Sequence, residues 1–424
     1  MSVQKYEIAK GVDGYYIENP RFNTTLITYN FYLPLNKNDM GTKSLLPYIL
    51  TSCSDEFRDY IDLNIALLDL YGADLSCSVS KCGDCFHTKI GISVINDELA
   101  FEKDSPVSRA AKMLSDLLFA PALSGKTFFE EDINREKRKT IERIEGEINN
   151  KRAFARTRLF EEMFDGDPYG KFIYGSVGEV EKISGGELYA AWRELLSSAY
   201  IRINVIGKEY PADVFSAAKE CFSNTYRNNV TDTDIIVSLE EAENARDITE
   251  RFDVTQGKLA LGFTSKLKGN FKTAAALSLF SDIFGGGPYS KLFSNVREKQ
   301  SLCYYCSASS RRTKGIVLVE SGIEESNAQK TIDAVLFELE EMKKGNFEDS
   351  VIEASKKAIT DSLYGYSDNA AALDIWYSRE INEDISPADA VKIVMDVTRE
   401  DIIEAAKGIK LHTVYRLLPK EVKN

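Results

Sequence analysis

The chain has 424 residues, 43% of them hydrophobic, which is enough to bury a large core and long enough for two or more domains. Its 66 acidic residues outweigh 53 basic ones, for a formal net charge of -13, and no block of Lys and Arg stands out, so composition counts against nucleic acid and membrane as partners. Only two histidines occur, His87 and His412, leaving little of the residue that most often serves as general base or metal ligand.

The opening stretch MSVQKYEIAKGVDGYY has no apolar core of signal-peptide type, and no window reaches the length of a membrane-spanning helix, so a cytoplasmic protein is expected. Seven cysteines, an odd number scattered over a long chain, fit reduced thiols better than a disulfide framework. In chain order, TTLITYNFYLPL predicts a strand, followed by a helix from about Thr42. From Gly72, GADLSCSVSKCGDCFHTKIGISVIND alternates apolar and polar residues. Leu75, Cys77 and Val79 lie on one run, and Phe86, Thr88, Ile90, Ile92 and Val94 on the next, as in a hairpin with one buried face. SRAAKMLSDLLFAP then predicts a helix with Met113, Leu114, Leu117 and Leu118 on one stripe. The charged stretch 134–164 reads as helix with a solvated face and i,i+4 pairs. ELYAAWRELLSSAYIRINVIG closes this half as a helix feeding a strand.

The order then repeats. GKLALGFTS predicts a strand, followed by a helix from about Phe271; LCYYCSAS and IVLVESG predict a hairpin around SRRTKG. SNAQKTIDAVLFELEEMKKG predicts a helix with Ile332, Val335, Leu336, Leu339 and Met342 on its stripe, and DIIEAAKGIKLHTVYRLLP a closing helix and strand. Two such units of about 200 residues argue for internal duplication of an α+β domain with antiparallel sheets covered by helices. The expected division is 1–212, a linker over 213–238 containing the polar run TYRNNVTDTD, and 239–424. Sheets of this kind leave edge strands to which an extended peptide can add.

The densest cluster of unusual residues is FGGGPYSKLFSNVREKQSLCYY, from Phe284. Leu292, Phe293 and Val296 form a helical apolar stripe beneath Arg297, and Tyr304 falls just inside the next strand, so the pair could reach one cleft wall and hydrogen-bond a carbonyl oxygen. Ordinary packing explains the same spacing. Gly285, Gly286 and Gly287 permit positive φ and close backbone approach, but no GK[ST] follows and Pro288 lacks an N–H donor, so a phosphate loop is disfavoured. Two CxxC pairs, Cys82 with Cys85 and Cys303 with Cys306, have metal-ligand spacing, yet residues three apart on a regular strand face opposite sides. Cys85 and His87 share a strand face without a visible third group to orient a thiol-imidazole pair.

The same cluster resembles the C-terminal-half signature of the insulinase and pitrilysin type of zinc peptidases, relatives of the mitochondrial processing peptidase. Gly285 to Gly287, Ser290, Leu292, Phe293, Val296, Arg297, Glu298, Leu302 and Tyr304 match it, and the duplicated layout extends the likeness over essentially the whole chain, within the bacterial YmfF-like branch. The resemblance implies the duplicated fold of LuxS and mitochondrial processing peptidase type, two homologous halves closing like a clamshell, and an extended peptide added to an edge strand. It assigns Arg297 and Tyr304 to substrate contact and transition-state stabilisation, and the glycines to substrate binding.

One part of the pattern is missing. Active members of the family carry HxxEH on the first helix of the N-terminal half, two His holding zinc and a Glu activating water. Here that helix reads GTKSLLPYILTSCS, placing Ser44, Leu45, Leu46, Pro47 and Tyr48 against the motif, and no histidine precedes His87. The third ligand of the family, counted from Glu136, falls on Arg143, with Glu142 and Glu145 nearby. No metal is therefore expected on this chain. The resemblance implies a non-catalytic, substrate-binding subunit working with a homologous zinc-bearing partner in a heterodimer, or as a homodimer; a peptide-binding scaffold without a role in proteolysis is the alternative.

Overall fold

The computed structural model describes residues 3–101, 104–233, 239, 244–265, 271–379 and 385–420. The chain packs into two units: Met1–Glu145, Phe172–Ile235 and Tyr366–Asp384 form unit 1, while Gly146–Lys171, Ile236–Gly365 and Ile385–Asn424 form unit 2. Each unit thus contains one segment contributed by the other half of the sequence.

The first half runs β1 (Val3–Ala9), β2 (Val12–Glu18), β3 (Thr24–Pro34), α1 (Met40–Leu50), α2 (Tyr60–Asp69), β4 (Asp74–Cys82), β5 (Cys85–Ile95) and α3 (Pro106–Phe119). It continues with α4 (Glu130–Glu147), α5 (Lys151–Met163), α6 (Val177–Lys182), α7 (Gly185–Ser198), β6 (Tyr200–Gly207) and α8 (Ala212–Ser223). The second half runs β7 (Arg246–Phe252), β8 (Gly257–Ser265), α9 (Phe271–Gly285), a π-helical stretch (Leu292–Lys299), β9 (Cys303–Arg311), β10 (Ile316–Ile323) and α10 (Ala328–Lys343). After it come α11 (Asp349–Gly365), α12 (Ala370–Arg379), α13 (Pro387–Met395), α14 (Arg399–Lys407) and β11 (Ile409–Pro419).

The six strands of unit 1 are ordered β1-β2-β6-β3-β5-β4, and the five of unit 2 β7-β11-β8-β10-β9. The α+β class and the two helix-covered sheets follow the sequence expectation. The expected antiparallel pairing needs one amendment in each sheet, because β2 runs parallel to β6 and β7 parallel to β11. The reason is an N-terminal strand in each unit that pairs beside the strand closing the same sheet.

Strand periodicity divides each sheet into two faces. In unit 1, Ile27, Tyr29 and Phe31 of β3 and Ile201, Ile203 and Val205 of β6 bury against Leu45, Ile49, Leu114, Leu117 and Leu195 from α1, α3 and α7. The alternate residues, Thr28, Tyr32 and Asn204, face α12, the helix contributed from the C-terminal half. Unit 2 mirrors this arrangement, with α5 lying over one face of its sheet through Ala155 and Leu159 against Ala260, Leu318, Tyr415 and Leu417. The approach is close. A Cβ on Gly262 of β8 would lie 2.5 Å from the Met163 sulfur, so β8 needs its glycine there.

Two local expectations change. The stretch 134–164 is not one solvated helix: α4 and α5 are separated at 148–150, and Asn150 caps α5 by accepting from the Ala153 N–H. The expected linker 213–238 opens as α8, whose Val214, Phe215, Ala218 and Phe222 are buried in the unit 1 core.

Candidate functional site

Helix α1 carries Ser44, Pro47 and Tyr48, the positions set against the metal motif. Ser44 is fully buried and donates its hydroxyl to the Ile173 carbonyl at 2.5 Å. Pro47 lies inside the helix, where its ring removes a backbone donor, and its carbonyl accepts from Thr51. The Tyr48 hydroxyl lies 3.4 Å from that of Tyr174. Burial, with the Tyr174 hydrogen bond added, keeps this phenol protonated far above neutrality. Arg143, from α4, lies over the Tyr48 ring with its guanidinium carbon 4.0 Å from the centroid. The two positions that sequence comparison set against separate ligands therefore stack on each other as a cation and an aromatic ring. The neighbouring Glu136 is buried and held by Arg135 and Lys139 at 3.1 and 2.8 Å.

In unit 2, Arg297 lies in the π-helical stretch, anchored by the fully buried Leu292 and Val296. Its guanidinium sits 4.7 Å from the Phe293 ring centroid, with Nε 3.6 Å from Glu298. The chain then turns tightly, the Leu302 N–H bonding to the Val296 carbonyl at 3.1 Å, and enters β9, an edge strand. Tyr304 is 55% exposed and donates its hydroxyl to Glu324. That bond, and then the carboxylate charge, raise the phenol above its ordinary range. No hydrogen bond or ring contact joins the side chains of Arg297 and Tyr304.

None of Gly285, Gly286 and Gly287 adopts positive φ. Gly285 is needed for proximity instead: a Cβ there would sit 2.5 Å from the Ala308 nitrogen of β9, so the bare backbone lets the end of α9 rest against the edge strand.

The comparisons with known proteins agree with this geometry. The family described as "Peptidase M16 inactive domain" matches residues 182–359. A "Probable inactive metalloprotease YmfF" of Bacillus subtilis is 28% identical over 96% of both chains. A conserved protein of Enterococcus faecalis superposes with a TM-score of 0.91 at 25% identity, covering 100% of both chains. The solved "peptidase M16 inactive domain" of Pseudomonas fluorescens shares the fold, with a TM-score of 0.81 at 17% identity, over 100% of this chain and 99% of its own.

Residues 182–359 thus match a domain of M16 type, and the whole chain resembles a relative described as probably inactive.

The zinc that this likeness implies does not fit the α1 corner. The donor set there is a hydroxyl bound to a backbone carbonyl, a proline and a protonated phenol, with an arginine at the place of the third ligand. Among the described residues no group of three or more His, Cys, Asp and Glu could hold a metal ion.

The other sequence candidates separate clearly. Cys85 is buried, its thiol pushed up to about 11 by burial, and His87 spends its ring nitrogens on Asn30 at 2.9 Å and Ser80 at 3.0 Å, so the two form no dyad. Cys303 and Cys306 correct the expectation of opposite faces. Gly322 pairs with Tyr305 and Ile323 with Cys303, leaving Tyr304 as a bulge that restores both cysteines to one side of β9. A hydrogen bond from Cys306, helped by Ser321 and the Arg297 charge against the cost of burial, brings the Cys303 thiol down to about 7. The bulge carries no composition signal that sequence reading could have used.

Proposed function

We propose that this M16 homologue is a non-catalytic, peptide-binding subunit that complements a homologous zinc-bearing chain with an HxxEH motif. The observation that carries this reading is the one-sided loss: the α1 corner is filled by an arginine-tyrosine stack, while Arg297 in the π-helical stretch and Tyr304 on the edge strand β9 keep the spacing of the family signature. Metal chemistry would belong to the partner. On this chain, an extended peptide would add to the outer side of β9, against which Gly285 lets the end of α9 pack. Arg297 would donate charged hydrogen bonds to a peptide carbonyl. Tyr304, kept protonated by Glu324, would act as a donor and not as a base. A cytoplasmic heterodimer, or a homodimer, is the assembly we infer.

The test is to mix the purified chain with an HxxEH-bearing homologue and follow hydrolysis of an unstructured peptide. The chain alone is expected to be inert, and Arg297→Ala with Tyr304→Phe to lower turnover by the complex by roughly 100-fold, the scale of losing oxyanion-type donors. A second reading, a peptide-binding scaffold outside proteolysis, draws on the engagement of the Tyr304 hydroxyl by Glu324. It takes precedence if the double variant leaves the partner's turnover unchanged.

A further inference from the structure

Helix α2 is apolar on two opposite sides. Leu63, Leu67 and Leu70 turn inward, Leu63 and Leu70 buried and Leu67 packed on the unit 1 core. Ile61, Ile65 and Leu68 fall on the other side at helical spacing and are 67%, 59% and 72% exposed, and Tyr60 at the helix start is 61% exposed. An aromatic pair follows the helix. Tyr71 stacks on Phe101 with ring centroids 6.2 Å apart and accepts the Phe101 N–H at 3.1 Å, while Phe101 itself is 79% exposed. Scattered exposed hydrophobics are ordinary, but a helix that exposes Ile61, Ile65 and Leu68 on one stripe and is followed by the exposed Phe101 marks a surface that another molecule covers.

The rim identifies the kind of molecule. On α2 itself Asp62 and Asp69 share one flank of the stripe and Asp59 stands at its start, all three exposed, as are Asp55, Glu56 and Asp74 close by in sequence. Asp59 also caps α2 through the Ile61 and Asp62 N–H groups, so its charge is fixed at the helix start. Among the described residues the nearby cations are few: Arg58 is exposed, and Arg109 is engaged by Asp69 and Asp104 at 2.6 and 2.8 Å. An anionic lipid surface would be repelled by such a rim. A second copy meeting this face through the same face would set carboxylates against carboxylates.

We infer that the outer face of α2, with Tyr71 and Phe101, is a docking site for an amphipathic helix of another protein whose apolar stripe is flanked by Lys and Arg. Leucine or isoleucine knobs would pack across Ile61, Ile65 and Leu68, and the flanking cations would meet Asp62 and Asp69. This surface is independent of the peptide ledge on β9, so the proposal stands or falls apart from the subunit reading.

The experiment uses the full chain and two synthetic fluorescent peptides, a Leu-striped helix flanked by Lys and the same helix with Glu at every Lys position, read by anisotropy. The Lys peptide is expected to bind at micromolar concentration, at least tenfold tighter than the Glu peptide, and to weaken about tenfold between low and 0.5 M salt. Ile65→Ser with Leu68→Ser is expected to weaken it at least tenfold. Asp62→Lys with Asp69→Lys should do so without touching the apolar stripe. Circular dichroism of each variant is expected to match the unsubstituted chain, because the replaced side chains point into solvent. Equal binding of the two peptides, or binding that survives both pairs of substitutions, would overturn the proposal. So would a concentration-dependent dimer that Ile65→Ser with Leu68→Ser abolishes, because the covering molecule would then be a second copy.

Discussion

The two units solve the same problem with opposite polarity. Each covers one sheet face with a helix from the other half of the chain, and each ties that helix down with a buried acid. In unit 1 the acid is on the helix. Asp374 of α12 is fully buried and accepts from Thr28 at 2.5 Å, Asn204 at 2.9 Å and Lys89 at 3.1 Å. In unit 2 the acid is on the sheet: Glu320 of β10 takes Arg152 at 3.1 Å and Arg156 at 3.8 Å from α5, and its Oε1 is buried without a hydrogen-bond partner. A carboxylate satisfied at one oxygen by two buried groups and at the other by a part-buried lysine locks α12. In unit 2 the arginines keep solvent contact, and apolar packing holds α5.

That difference sets the expected losses. Asp374→Ala strands a lysine and two buried polar groups, and should cost about 3–5 kcal/mol in chemical denaturation. A loss under about 1 kcal/mol would mean that the polar clasp in unit 1 is no tighter than that in unit 2.

Acid should act on unit 1 through His87, which lies in the same layer, stacked on Tyr32 at 4.7 Å and bonded to Asn30. Burial lowers its pKa to about 4. An unfolded imidazole binds its proton from about pH 6.5 downwards while the folded one stays neutral, so stability is full above pH 6.5. It then falls by up to about 1.4 kcal/mol per pH unit until the folded group protonates near 4. Thermal melts of the chain and of His87→Gln across this window should converge as the pH drops.

Glu320→Gln is expected to cost less, about 1 kcal/mol, because Arg152 and Arg156 remain partly hydrated. The smallest effect concerns reactivity. Cys303 on β9, at about 7, should alkylate with a rate that rises about tenfold per pH unit below 7 and levels above it, a phase missing in Cys303→Ser. Cys85, raised to about 11 on the corresponding hairpin of unit 1, should stay unlabelled.

Much of this architecture is written locally. The alternation of Leu75, Cys77 and Val79, and the stripe of Met113, Leu114, Leu117 and Leu118, report the side each residue buries, and the repeated order of elements exposes the duplication. The lack of any histidine before His87, on which the proposed placement of Ser44, Pro47 and Tyr48 against the metal motif rests, is equally legible. The exchange of α5 and α12 is not: an amphipathic helix announces that it needs an apolar surface, but not which sheet supplies it. Likewise Arg143 was reachable by counting along α4, whereas its stacking on Tyr48 depends on how two helices pack. The stripe of Val214, Phe215, Ala218 and Phe222 was a readable signal for α8, overshadowed by the polar run that follows it.

The most direct test is binding of a fluorescent, unstructured peptide to the chain alone in the presence of a metal chelator. The account predicts saturable binding without cleavage, unaffected by the chelator and weakened about tenfold by Arg297→Ala with Tyr304→Phe. Cleavage by the lone chain that the chelator abolishes, or peptide binding that the double variant leaves unchanged, would contradict it.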